Sequence, residues 1–236
     1  MRSSISEGCW SPEQVDGRLR LEVGRCVVSL SPIYRAVARG DLDLPGAEPV
    51  RRRLRRGGRR PRRGRDEARG RVHAQHELVE RPEEAGKRLR LGDWEADSVV
   101  GSRRACQVTL ADRASTLLVG GRCAAPQRDA LVAALRGRPA ETVMPDRGKE
   151  FANNAEVGER LGVVQFYFCQ AHHPWEKGAN ENTNGLVREF FPKGTDFSRV
   201  SDEEVARAFA LINDRPRKVL GYRAANEAYR EMLQSA

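Results

Sequence analysis

Residues His172–Asp196 read HHPWEKGANENTNGLVREFFPKGTD, and this run constrains the chain more than any other. Gly178, Asn180, Asn182, Thr183, Asn184 and Gly185 are modest or poor helix formers. Yet Leu186, Val187, Phe190 and Phe191 follow at helical spacing. On a helix, Lys177, Glu181, Asn184 and Arg188 share one polar stripe, with a carboxylate in the middle and cations a turn away on either side. Local propensity is given up in this way chiefly where a site demands it. A solvated loop leading into a short amphipathic helix is the plainer alternative.

The 236 residues suffice for one sizeable core, or a core with a small appendage. The net charge of +9 is concentrated: between Arg51 and Arg71, 12 arginines face only Asp66 and Glu67, which leaves −1 on the rest of the chain. Such a tract seeks a polyanion, and Arg rather than Lys suits bidentate phosphate contacts. No apolar run reaches the roughly 18 residues a membrane span needs, and MRSSISEGCWSPEQ lacks the apolar middle of a secretory signal. Five scattered cysteines without a C-x-x-C pair predict reduced thiols and a cytoplasmic protein.

Three regions are expected. Residues 1–44 carry two capped helices: Ser11-Pro12-Glu13-Gln14 offers an N-cap, a proline in the first turn and a capping box, and Ser31-Pro32 opens a second helix stopped by Gly40. With Tyr34, Arg35 and Arg39 on the second helix, this is the pattern of a partial helix-turn-helix DNA-binding segment. Residues 45–76 read as an Arg-rich linker, disordered when free, whose Arg51, Arg52, Arg53, Arg55 and Arg56 would lie along phosphates. Residues 77–236 read as an α/β core. Strands at Asp93–Gly101, Cys106–Leu110 and Thr116–Val119 form a meander. A helix, a strand at Glu141–Met144, a helix, a strand at Val163–Phe168 and the opening stretch follow, and C-terminal helices close the chain. The order βββαβαβα is that of a mixed sheet with helices on its faces.

Three acids fall where such a sheet would converge them: Asp97 on the first strand, Asp146 after the fourth, and Glu181 on the helix, 35 positions further on. Converging carboxylates need a cation, and hard oxygen ligands select Mg²⁺ or Mn²⁺. Two such ions about 4 Å apart suit phosphodiester chemistry. Spacing alone leaves rivals open: Asp93 and Glu95 share the parity of Asp97, Asp146 fits a simple turn, and Glu150 is a nearby acid.

The blocks GDWEADSVVG, TLADRASTLLVGG, PDRGKEFANN, HHPWEKGANENTNGLVREFFPKGTDF and INDRPRKVLGYR, in this order, resemble the bacterial insertion-sequence-thirty family of transposases over Arg81 to Glu231. The resemblance implies a retroviral-integrase-like core with the ribonuclease H fold and a DDE triad of Asp97, Asp146 and Glu181 binding two divalent ions. It settles the parity for Asp97 and removes Glu150. It implies cleavage at element ends and strand transfer into double-stranded target DNA, by an oligomer assembled on DNA in the bacterial nucleoid, with no membrane involved. Lys177, Asn180, Asn184 and Arg188 are expected to contact the DNA backbone. Members usually have further residues before the WSPEQ-like segment, so either the start is internal or the chain is an N-terminally truncated copy. Its alternatives are a binding-only remnant that regulates transposition and, less favoured, a ribonuclease H-like nuclease.

Overall fold

A computed structural model describes residues 2–54, 76–101, 105–123, 128–145, 154–162, 164–168 and 178–235, without the side chains of residues 2, 53, 154, 155 and 178–182. The chain divides into two compact units, one of residues Met1–Glu67 with Asn213–Ala228 and one of Ala68–Ile212 with Tyr229–Ala236.

The larger unit is built on β1 (Asp93–Val100), β2 (Cys106–Asp112), β3 (Leu118–Cys123), β4 (Thr142–Met144) and β5 (Gln165–Phe166). The sheet order is β3-β2-β1-β4-β5. The first three strands pair antiparallel, as the meander predicts, while β4 lies parallel to β1 and β5 parallel to β4. This five-stranded mixed sheet fits the expected integrase-like architecture.

Strand alternation sends side chains to two faces. Trp94, Ala96, Val108, Leu110 and Val119 point to one face and bury against Leu131, Val132 and Leu135 of α6 (Arg128–Leu135) and Val157 of α7 (Asn154–Arg160). On the other face, Val99 and Leu118 pack under Val187 of α8 (Gly178–Phe190), Phe191, Phe197, and Val205, Phe209 and Ile212 of α9 (Asp202–Asn213). So α8 is a helix, as Leu186–Phe191 predicts, because its apolar stripe docks on the sheet. Gly120 has a φ of +148°, and a Cβ there would overlap the Val108 carbonyl, so only glycine lets β3 close on β2.

Cys106 and Cys123 are register partners on β2 and β3, with Cα atoms 5.4 Å apart, and are paired as a disulfide. This corrects the expectation that all the cysteines are free thiols. Hairpin register, not sequence spacing, brings the two sulfurs together. The Cys26 thiol stands outside any disulfide and is exposed.

In the smaller unit, α1 (Arg2–Ser6), α2 (Pro12–Val23), α3 (Leu30–Arg39) and α4 (Val50–Arg53) share a core of Ile5, Val15, Ile33, Val37, Leu42 and Val50. The Ser11–Gln14 capping box forms on α2, and Gly24 ends that helix in the left-handed conformation. The second helix starts one residue before Ser31, at Leu30, with Ser29 as its N-cap.

Residues 50–54, placed in the disordered linker from composition, are partly ordered. Val50 is buried, and its N–H donates to Asp43 Oδ1 at 2.8 Å. Residues 55–75 of the linker lie outside the described residues.

A helical hairpin this small cannot bury a core alone. Much of what it packs on comes from Asn213–Ala228, which the sequence reading placed within the 77–236 core. There β6 (Pro216–Arg217) pairs with β7 (Arg223–Ala224) ahead of α10 (Ala225–Gln234). Gly17 of α2 meets the Tyr222 ring so closely that a Cβ would overlap it. Arg18 donates to both carboxylate oxygens of Glu227, at 2.5 and 2.7 Å. The bidentate bond holds the Glu227 carboxyl below its ordinary range. Burial, aided by the neighbouring charge of Arg215, lowers the guanidinium of Arg217 to about 10. Among the described residues no helix is long and apolar enough to cross a membrane.

Candidate active site around Asp97

Asp93, Glu95 and Asp97 share one face of β1, and the structure gives them different surroundings. Asp93 is fully buried: Thr142 Oγ1 donates to it at 2.7 Å and Arg90 Nε at 3.1 Å. Glu95 is 1% exposed and takes a hydrogen bond from Arg113 Nη1, while Arg113 Nε holds the Ala85 carbonyl at 2.9 Å. Burial pulls the Arg113 guanidinium below its ordinary value, and Glu95 opposes that shift. Both acids are thereby committed to structural arginines.

Asp97 is only partly buried. Its Oδ1 accepts from the Ser98 backbone N–H at 2.7 Å, and its Oδ2 from Asn184 Nδ2 at 2.5 Å. Both of these donors are neutral. Of the three acids, Asp97 is the one left partly exposed and the one that meets α8.

Next to β1, Asp112 anchors the turn into β3. It accepts from Gly92 N–H at 3.0 Å and Ser115 N–H at 2.8 Å. Burial raises its carboxyl above the ordinary range, against the pull of those bonds. The block LADRAST is accordingly scaffold: Asp112 and Ser115 shape the turn, and Arg113 neutralises Glu95.

On α8, Asn184 reaches the strand, and its Oδ1 is buried with no hydrogen-bond partner among the described residues. Arg188, expected at DNA, donates to the Val100 carbonyl at 2.9 Å and to the Phe191 and Pro192 carbonyls at 3.5 Å. It ties the end of α8 to the end of β1, and burial lowers its pKa. Asp146 and Lys177 lie outside the described residues, as do the side chains of Asn180 and Glu181, whose backbones belong to α8. Among the described residues no cluster of three metal-ligating side chains occurs.

In the smaller unit, Arg35 of α3 is exposed beside Tyr34, and Arg39 pairs with Asp41 at 2.8 Å. Arg51 and Arg52 on α4 are exposed. The side chain of Arg53, and all of Arg55 and Arg56, lie outside the described residues. The contact of Asn184 with Asp97 was missed by sequence reasoning, although a signal existed: Asn184 sits three residues after Glu181 on the same helical stripe, so it must meet whatever strand residue the stripe covers.

The chain is 38% identical over 233 residues to the transposase for insertion sequence element IS4351 of Bacteroides fragilis, covering 95% of this chain and 70% of that protein. The chain belongs to the insertion-sequence transposases. It is also 35% identical over 235 residues to transposase InsI for insertion sequence element IS30A of Escherichia coli, covering 92% of this chain and 60% of that protein. This places it with the insertion-sequence-thirty family and its relatives. Over 87 residues it is also 37% identical to the putative integrase ORF3 of Spiroplasma virus SpV1-R8A2 B, covering 37% of this chain and 27% of that protein. No protein-family profile matches the chain. The chain spans 60% to 70% of the length of these two transposases.

Proposed function

We propose that this transposase is a DDE enzyme that cuts DNA at element ends and joins them to target DNA, with Asp97, Asp146 and Glu181 as its acids. The carrying observation is the parallel pairing of β1 with β4 in the register Glu95 beside Met144. Asp97 and Asp146 each stand two positions further along their chains. The bond from Asn184 to Asp97 supports the third acid, because it lays α8 over this end of β1. The ribonuclease H-like reading rests on the same strand order.

The donor set fits a hard divalent cation: Asp97 offers a partly exposed carboxylate, and the donors at Ser98 N–H and Asn184 Nδ2 are neutral. Asp97, Asp146 and Glu181 would hold Mg²⁺ or Mn²⁺, two ions on this reading. The metal supplies charge stabilisation for the phosphate and activation of the attacking oxygen. At the element end, water attacks the phosphorus, and the P–O3′ bond breaks to release a 3′-hydroxyl. That hydroxyl then attacks a target phosphorus, and the target's own 3′-oxygen leaves with the proton. One phosphodiester replaces another, so no external energy and no covalent protein intermediate are required.

Arg35 and Arg39 on α3, the linker arginines, and Lys177 and Asn180, close to Glu181 in the sequence, would hold the phosphates of double-stranded DNA. The α2–α3 pair is read as a helix-turn-helix. Two element ends must be held together, so the working form is an oligomer on DNA in the bacterial cytoplasm. The test uses duplexes made from the DNA flanking the gene, a supercoiled target plasmid and Mg²⁺ or Mn²⁺. Joined product that disappears with chelator and in Glu181→Gln is expected. DNA binding with no cutting or joining under any of these conditions would favour a binding-only regulator.

A further inference from the structure

We infer that Asn184 is a positioning residue that fixes the Asp97 carboxylate, rather than a contact to the DNA backbone. The inference rests on the DDE reading of Asp97. A carboxylate oxygen only accepts, so the atom of Asn184 lying 2.5 Å from Asp97 Oδ2 is the amide nitrogen. With Ser98 N–H at 2.7 Å from the other oxygen, one neutral donor meets each oxygen of the carboxylate. Two donors on opposite oxygens remove the rotation about χ2 that an acid on a strand otherwise keeps. These two donors are neutral, so neither cancels the charge that attracts the metal. An arginine would cancel it, as at Asp93 and Glu95.

A second observation points the same way. With its nitrogen turned to Asp97, Asn184 directs Oδ1 elsewhere, and that oxygen is buried with no donor among the described residues. A buried acceptor of this kind calls for a donor from whatever occupies the site, a water or a substrate hydroxyl. A surface residue reaching for phosphate would not bury its acceptor. Nor does the backbone ask for asparagine here, since it is a poor residue for the interior of α8.

The test compares wild type with Asn184→Ala in three measurements: Mn²⁺ affinity by calorimetry with duplex DNA present, DNA affinity in chelator, and melting temperature. Alanine favours a helix, so α8 is expected to persist. The expected result is Mn²⁺ affinity weakened about 10- to 100-fold, the usual cost of losing an outer partner of a metal ligand. Metal-free DNA affinity and melting temperature should be unchanged, and strand transfer should recover at raised Mn²⁺. Wild-type Mn²⁺ affinity in the variant would overturn the inference, as would a loss of metal-free DNA affinity. If wild type itself takes up no Mn²⁺ with DNA present, the DDE reading of Asp97 fails, and the role of Asn184 fails with it.

Discussion

Arg113→Leu will destabilise the larger unit by about 3–5 kcal/mol, the usual penalty for removing one member of a buried ion pair. Glu95, 1% exposed, would keep its charge without its cation. The Ala85 carbonyl would also lose the N–H that Arg113 Nε supplies at 2.9 Å. For a chain of this size that corresponds to a melting temperature lower by roughly 6–20 °C. The cost comes chiefly from the stranded carboxylate and not from the loss of attraction, so Glu95→Leu combined with Arg113→Leu should recover much of it. Thermal melting of the single and double variants checks this. A double variant less stable than Arg113→Leu alone would contradict it.

Asp97→Asn will leave the fold nearly intact and cut strand transfer about a thousandfold or more. On the proposed DDE reading, the loss follows from withdrawing one metal carboxylate from a centre that would stabilise the transition state by several kcal/mol, at one factor of ten for each 1.36 kcal/mol. The structural cost is smaller. An asparagine keeps one oxygen for either Ser98 N–H or Asn184 Nδ2 and presents an NH₂ to the other, a mismatch of about 1 kcal/mol. Strand-transfer rates, melting temperature and DNA affinity measured on one preparation separate these effects. A variant that transfers strands within tenfold of wild type would remove Asp97 from the chemistry.

How much of this was legible in the sequence depends on the range of the forces involved. The β1–β3 meander and α8 were legible, because alternation and helical spacing are local: Trp94, Ala96, Val108 and Leu110 on one face, Leu186 to Phe191 on one stripe. The choice among Asp93, Glu95 and Asp97 was not legible from pattern. What sets their surroundings apart is Arg90 and Arg113, and pairing with Arg113 follows only once the antiparallel register of β1 and β2 is fixed. The Cys106–Cys123 pair was missed for a similar reason. Reading the third strand as Thr116–Val119 instead of Leu118–Cys123 stops it short of Cys123. Least legible was the core of the smaller unit. Arg18 finds Glu227, and Gly17 finds Tyr222, across some two hundred residues that no local pattern spans.

The most direct measurement of the central claim is Mn²⁺ binding, by calorimetry with duplex DNA present, to wild type and to Asp146→Asn, which keeps the shape of the side chain and removes its charge. Binding to wild type and its loss in Asp146→Asn is the predicted result. Wild-type affinity retained in Asp146→Asn would contradict the account, because the acid two positions beyond Met144 would then hold no metal.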